Sequence, residues 1–129
     1  MEPARLLLSL GTVGAGVAVV LGAFAAHGLK SRLAAESLAT FQTAVTYHFF
    51  HSLALCVVAL AIRSLGRSVA WSQPLALAGI AFAVGILLFS GSLYGLATGG
   101  PRWLGPVTPL GGAAFIAGWV LFAVGAWRY

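Results

Sequence analysis

Four long apolar runs divide the chain, and short polar or breaker-rich stretches separate them. The runs cover residues 6–26, 43–62, 75–97 and 110–127. A helix rises about 1.5 Å per residue, so about 20 apolar residues cross the roughly 30 Å hydrocarbon core of a bilayer. The runs are apolar on every face and lack the alternation typical of barrel strands. The pattern therefore predicts four transmembrane helices.

Glycines recur inside these runs at spacings that place them on common helix faces. Gly91 and Gly95 form a GxxxG pair, and Gly118 and Gly125 lie seven residues apart. Small residues on one stripe let membrane helices approach closely. We therefore predict one all-α domain over residues 1–129, an integral membrane bundle of four transmembrane helices with Gly-rich packing. The breakers within 98–109 predict an irregular turn before the fourth helix.

Composition narrows the class of protein further. Hydrophobic residues make up 60% of the chain, whereas only seven basic and two acidic residues carry charge. So few charges cannot cover the surface of a soluble enzyme. The cations are scattered in ones and twos, which argues against a nucleic-acid surface. The only carboxylates are Glu2 and Glu36, so neither a carboxylate pair nor a Ser-His-Asp set is available.

The cations and aromatic residues flank the apolar runs and predict an orientation. With four spans, Arg5, Arg63, Arg67 and Arg128 share one side of the membrane, and Lys30, Arg32 and Arg102 share the other. Four against three favours a bacterial inner-membrane protein with both termini cytoplasmic. Trp71, Trp127 and Tyr129 would mark the membrane interface on the first side, and Trp103 on the second.

Polar residues gather near one end of the predicted spans. Because consecutive spans run in opposite directions, the residues near the first and third loops fall on the same side of the membrane. Ionisable residues within spans usually face the bundle interior and have a partner. The candidate polar cluster comprises His27, Thr43, Tyr47, His51, Ser90, Ser92, Tyr94 and Thr108.

This cluster admits four interpretations. It is a hydrogen-bonded group that fixes helix register, a site for a lipid headgroup or quinone, a metal or haem site, or a proton path. His27, His48 and His51 are the residues that could converge on a metal. No intramembrane carboxylate supports either a metal site or a proton path.

We expect His51 to be neutral and to face inward, because a protonated imidazole near the bilayer centre is costly. Its hydrogen bond should go to a hydroxyl or carbonyl of a neighbouring helix. Tyr47 lies one turn away on the same face. Its hydroxyl should reach His27, the first loop or the segment 90–94.

The same residues carry a family resemblance. The segments GAFAAHGL at 22–29, FQTA at 41–44, LFSGSLY at 88–94 and VTPLGG at 107–112 resemble the domain-of-unknown-function family four-two-three, small four-helix inner-membrane proteins of bacteria with eukaryotic relatives. The match runs through essentially the whole chain and implies the fold and the membrane, but no activity. The matching positions are His27, Tyr47, His51, Ser90, Ser92, Tyr94, Thr108 and Pro109. Position 48 departs from the family pattern, where Gln is familiar, which weakens a site built on His48 and His51.

The sequence thus predicts a small non-enzymatic membrane protein without a cofactor, acting as an accessory or assembly partner of a larger membrane complex. Its expected partners are the lipid bilayer and either such a complex or a second copy, and not nucleic acid. The alternative is a binder of a lipid, quinone, haem or metal at the polar cluster.

Overall fold

The computed structural model describes residues 2–65, 69–71 and 73–128. Four long helices follow one another: α1 is Pro3–Leu29, α2 is Ala35–Ser64, α3 is Pro74–Ala97 and α4 is Val107–Arg128. Each is long and apolar enough to cross a membrane. The predicted all-α membrane bundle is confirmed. Arg67 and Tyr129, which entered the orientation argument, lie outside the described residues.

The helix ends follow local chemistry. Pro3 and Pro74 open α1 and α3, where the missing N–H is harmless because the first turn has no intrahelical acceptor. After α3, Gly99 takes a φ of 88°, and the Gly100 N–H donates to the Gly95 carbonyl at 2.7 Å. This left-handed glycine terminates α3. The predicted irregular turn also contains a short 3₁₀ helix, Arg102–Leu104, before α4 begins.

Helix α2 begins at Ala35, well before the apolar run at 43–62. Neither Gly nor Pro interrupts residues 35–64, and Glu36 in the first turn favours the positive end of the helix dipole. Its 30 residues extend about 45 Å, longer than the hydrocarbon core is thick. The part between Ala35 and the apolar run therefore lies toward the head-group region.

Two π-helical turns interrupt the α-helical geometry. Ala25–Leu29 ends α1, and Ile86–Ser90 lies in the middle of α3. A π turn inserts one extra residue and rotates all later side chains around the helix axis. The second turn therefore sets the directions of Ser90, Ser92 and Tyr94, which belong to the candidate polar cluster.

The helices differ sharply in how much of their surface the bundle covers. Helix α1 packs along α2, α3 packs along α4, and α2 and α3 contact each other. In the most apolar stretches of α2 and α3, 44% of residues are buried, against 17% for α1 and α4. The inner pair is therefore α2 and α3, while α1 and α4 present most of their surface outward.

Large side chains over glycines hold α3 and α4 together. Phe89 of α3 lies over Gly111, Phe82 lies over Gly118, and Leu75 lies over Gly125. In the opposite direction, Phe115 of α4 lies over Gly85 of α3. Each glycine leaves the space that a large side chain of the partner helix fills, so the two backbones approach closely.

Contacts at glycines also bring α1 close to α2 and α3. A Cβ on Gly11 would lie 2.7 Å from the Ser52 carbonyl oxygen of α2, and a Cβ on Gly14 would lie 2.6 Å from Ser52 Oγ. Leu7 of α1 covers Gly79 of α3. The glycines thus set the closest approach of α1 to α2.

The Gly-rich packing expected from the sequence has one exception. Of the GxxxG pair in α3, Gly91 has open space where a side chain would stand, and Gly95 accommodates Leu104 from the following loop. Gly118 and Gly125 do pack against a neighbouring helix. The GxxxG spacing therefore does not mark a helix–helix contact within this chain.

We expect Gly111→Ala to lower the thermal stability of the protein in detergent. A Cβ at this position would overlap the backbone nitrogen of Phe89, and backbone cannot move aside as a flexible side chain can. Overpacking of this kind costs about 1–3 kcal/mol. The adjacent Gly112→Ala is the control, since its Cβ would meet only Phe89 Cδ2 at 3.9 Å. Equal melting temperatures for the two variants would contradict the proposed packing.

Candidate functional site

His51 is held by a hydrogen bond at each ring nitrogen. Nδ1 lies 2.8 Å from the Tyr47 carbonyl oxygen one turn earlier in α2, and Trp119 Nε1 of α4 donates to Nε2 at 3.2 Å. A carbonyl oxygen only accepts, so Nδ1 carries the proton; an indole N–H only donates, so Nε2 carries the lone pair. The geometry therefore requires a neutral imidazole with a fixed tautomer.

Aromatic rings enclose the same imidazole. The Phe115 ring stacks on it with a centroid distance of 3.6 Å and an interplanar angle of 14°. Phe82 of α3 and Trp119 of α4 approach at 5.6 and 6.0 Å between centroids. His51 is buried, 6% exposed, so the ring is anchored between three helices and is not directed toward lipid.

Tyr94, near the end of α3, provides a second contact between helices. Its hydroxyl lies 2.9 Å from His48 Nδ1 of α2. The Phe41 ring of α2 tilts against the Tyr94 ring at a centroid distance of 4.9 Å. The end of α3 is thereby fixed to α2 by one polar and one aromatic contact.

Two serines of α3, one at the end of the π-helical turn and one just after it, contact different helices. Ser90 Oγ donates to the Ala44 carbonyl oxygen of α2 at 2.8 Å. Ser92 Oγ shares a 2.6 Å hydrogen bond with Thr108 Oγ1 at the start of α4. Together with the His51–Trp119 bond between α2 and α4, these bonds connect each of α2, α3 and α4 to the other two.

The structure brings most of the predicted cluster together and leaves two members outside it. Tyr47, His51, Ser90, Ser92, Tyr94 and Thr108 lie within the contacts described above. His27 is exposed at the end of α1. Thr43 is exposed too, and its hydroxyl donates to the Ala39 carbonyl of its own helix at 3.0 Å.

The expectation for the Tyr47 hydroxyl is wrong. It makes no hydrogen bond to any residue in the described ranges, and Tyr47 is 42% exposed. The ring packs instead on Phe89 at 4.6 Å and faces the His51 ring at 5.9 Å. Aromatic packing thus determines the orientation of Tyr47, and Tyr94 makes the interhelical hydroxyl contact.

The partner of His51 also differs from the expected hydroxyl or carbonyl of a neighbouring helix. The carbonyl belongs to α2 itself, and the neighbouring helix contributes the Trp119 indole N–H. The sequence held a signal for this. Trp119 lies in the middle of its apolar run, unlike tryptophans at span ends, and an indole N–H inside the hydrocarbon core finds no water to accept its hydrogen bond.

A third polar site lies between α1 and α2. Ser52 is fully buried, and its Oγ has no hydrogen-bond partner among the described residues. It faces Gly14 of α1, and a Cβ on Gly14 would also lie 3.8 Å from His48 Nε2. His48 uses Nδ1 for its bond to Tyr94, and its Nε2 makes no hydrogen bond to the described residues.

The arrangement of ligating residues bears on the metal interpretation. Within the described ranges, no group of three or more His, Cys, Asp or Glu side chains is placed to hold a metal ion. Both nitrogens of His51 are already engaged, and His27 is exposed whereas His48 is buried.

These features define a small integral membrane protein, a bundle of four helices whose buried polar side chains join the helices to one another. The chain belongs to the family described as Protein of unknown function (DUF423), which it matches over residues 21–112. This confirms the resemblance seen in the sequence. No solved structure shows a significant match.

Curated relatives match the sequence over nearly its full length. The chain is 41% identical over 125 residues to the UPF0382 membrane protein YwdK of Bacillus subtilis, covering 97% of this chain and 98% of the relative. It is 39% identical to the UPF0382 inner membrane protein YgdD of Escherichia coli K12, with 96% and 91% coverage. It is 36% identical to the UPF0382 membrane protein SSP2132 of Staphylococcus saprophyticus, with 96% and 98% coverage. None of these names carries an enzymatic activity.

A double-mutant cycle on His51 and Trp119 tests the bridge between α2 and α4. We expect His51→Leu to cost about 1–2 kcal/mol, because it removes both hydrogen bonds and leaves the Trp119 N–H without an acceptor. Trp119→Phe keeps a ring but removes the donor. The coupling energy should fall near the 0.6 kcal/mol average measured for such bonds in membranes.

The matched control is Trp103→Phe, since Trp103 is 67% exposed and has no hydrogen bond within the described chain. Thermal unfolding in detergent provides the measurement. Additive effects of the two substitutions, with no coupling energy, would show that the bridge does not contribute to stability.

Proposed function

We propose that this protein is a non-enzymatic accessory or assembly subunit of a larger complex in the bacterial inner membrane. The observation that carries the proposal is the unequal burial of the helices. Only 17% of the apolar stretch is buried in α1 and in α4, against 44% in the inner helices. Two whole transmembrane helices thus leave their outer faces available for contact with further helices.

The outer face of α1 has the composition of a helix contact. Ser9, Thr12, Gly16 and Ala23 are all exposed, and Gly16 has open space around its Cα. Small and hydroxyl-bearing residues let a second membrane helix approach closely. Most of the interior is already occupied: His51, Ser90 and Ser92 have hydrogen-bond partners, and side chains of neighbouring helices cover the interior glycines.

Site-specific photo-crosslinking in cells at native expression tests this proposal. A photoreactive residue at Val20 of α1 or Ile116 of α4, each 68% exposed, should give discrete protein adducts. Leu60 of α2 is the control, because it is 56% exposed but lies on an inner helix. An adduct of twice the chain's mass would identify a second copy as partner, and another mass would identify a different subunit. The same background at all three positions would contradict the proposal.

The orientation belongs to the same proposal: both termini on the cytoplasmic side. In a Cys56→Ala background, Glu2→Cys and Tyr129→Cys should resist an impermeant maleimide in intact cells and react after permeabilisation. Ser31→Cys in the first loop should react from outside. Labelling of both termini from outside would invert the orientation, and labelling of only one would contradict the four-span topology.

A second candidate function is ligand binding beside the polar cluster, at the polar site between α1 and α2. The observation that favours it is the pair of unpaired groups between α1 and α2, Ser52 Oγ and His48 Nε2. A quinone oxygen could accept from Ser52, and a metal or haem iron would need His48 Nε2. A visible absorption spectrum and elemental analysis of protein purified at native expression distinguish a coloured or metal-bound protein from the accessory subunit.

A further inference from the structure

A shallow groove of about 280 Å³ lies between α1 and α2, apart from the polar cluster. Ala18 and Gly22, four residues apart in α1, form its floor, and Phe49 and Phe50 of α2 form one wall. The groove exists because the floor residues are small; a Cβ on Gly22 would lie only 3.3 Å from Val45 Cγ1.

The groove is apolar and opens outward. Its rims carry Val19 at 60% exposure and Phe50 at 61%. Thr46 is the one hydroxyl residue that lines it, and Thr46 Oγ1 donates to the Gln42 carbonyl of its own helix at 3.0 Å. Since that hydroxyl proton is already used, the groove offers an occupant only apolar contact.

Two basic residues follow the groove residues of α1 along the chain, toward the nearer membrane surface. Lys30 and Arg32 are exposed in the connection between α1 and α2. At about 1.5 Å per residue, Gly22 lies about 12 Å and Ala18 about 18 Å below Lys30. Half of a roughly 30 Å hydrocarbon core is about 15 Å, so the groove is at acyl-chain depth when the basic residues are at head-group depth.

The size of the groove selects between two kinds of occupant. Its floor extends over one helical turn, about 6 Å, whereas a helix with its side chains is about 10–12 Å wide and packs over several turns. An acyl chain is narrow enough, and a phosphate at head-group depth complements the two cations. We propose that the α1–α2 groove binds one acyl chain of an anionic phospholipid whose phosphate contacts Lys30 and Arg32. This site is independent of the proposed accessory role.

Native mass spectrometry of the full chain in mild detergent, titrated with phosphatidylglycerol or phosphatidylcholine, tests the site. The wild-type protein should retain phosphatidylglycerol with a preference of about tenfold or more, the scale expected for two basic side chains near an anionic headgroup. Lys30→Gln combined with Arg32→Gln should bind the two lipids equally. Arg102→Gln, on the same side of the membrane in the third loop, should keep the preference.

Filling the groove tests the acyl-chain contact. Thr46→Phe should weaken binding of both lipids several-fold. Thr43→Phe is a close control, because Thr43 is also exposed on α2, makes the same hydrogen bond one turn back, and does not line the groove. Melting temperatures within one degree or so of each other would show that both variants fold alike; a destabilised Thr46→Phe is replaced by Val19→Phe at the rim.

Several outcomes would overturn the proposal. Equal lipid retention by Thr46→Phe and Thr43→Phe would exclude the groove as the acyl site. A preference unchanged by loss of Lys30 and Arg32 would exclude the headgroup contact. Displacement of phosphatidylglycerol by inorganic phosphate would indicate a phosphate site without acyl recognition. If Thr46→Phe lost a co-purifying protein while its lipid binding stayed unchanged, the groove would be a contact for a partner helix.

Discussion

Close contact between helix backbones is the constraint on which the rest of this structure depends. In a membrane, burying apolar side chains against one another gains little, because lipid tails are equally apolar. Association must come from dense packing and interhelical hydrogen bonds. The alternation of Phe82, Phe89 and Phe115 with glycines on the facing helix supplies that density between α3 and α4. One polar contact, the Ser92–Thr108 hydrogen bond, joins the same two helices near the third loop.

The hydrogen bonds follow from this packing. Serine has a short side chain, so Ser90 can reach the Ala44 carbonyl at 2.8 Å only where α2 and α3 nearly touch. The π-helical turn Ile86–Ser90 adds a residue immediately before the polar segment of α3. That shift lets Ser90 and Tyr94 face α2 while Ser92 faces α4. Local backbone geometry therefore distributes one short segment's polar groups between two neighbouring helices.

The fold was predictable from the sequence because helix length and hydropathy are enough to identify transmembrane helices. The alternating direction of consecutive spans also predicted that the polar residues could meet near one membrane surface. Three features do not follow from hydropathy alone. The π turn has no periodicity signal, and it decides the directions of Ser90 and Ser92. Helix α2 begins at Ala35, before the apolar run at 43–62, because hydropathy marks the part of a helix that crosses the membrane and not the helix end. The sequence alone does not distinguish Tyr47 from Tyr94. Ring packing, of Tyr47 on Phe89 and of Tyr94 on Phe41, decides which of the two hydroxyls meets a hydrogen-bond partner.

The two buried histidines differ in what their surroundings allow. His51 donates from Nδ1 to the Tyr47 carbonyl and accepts at Nε2 from Trp119. A proton or a ligand on Nε2 would therefore break the contact with Trp119. His48 uses only Nδ1, and its Nε2 faces the α1–α2 contact beside the unpaired Ser52 hydroxyl. An unpaired buried hydroxyl costs free energy that a bound acceptor would recover. The interior polar atoms without a partner among the described residues therefore lie between α1 and α2, beside Gly14, whereas both ring nitrogens of His51 are already used.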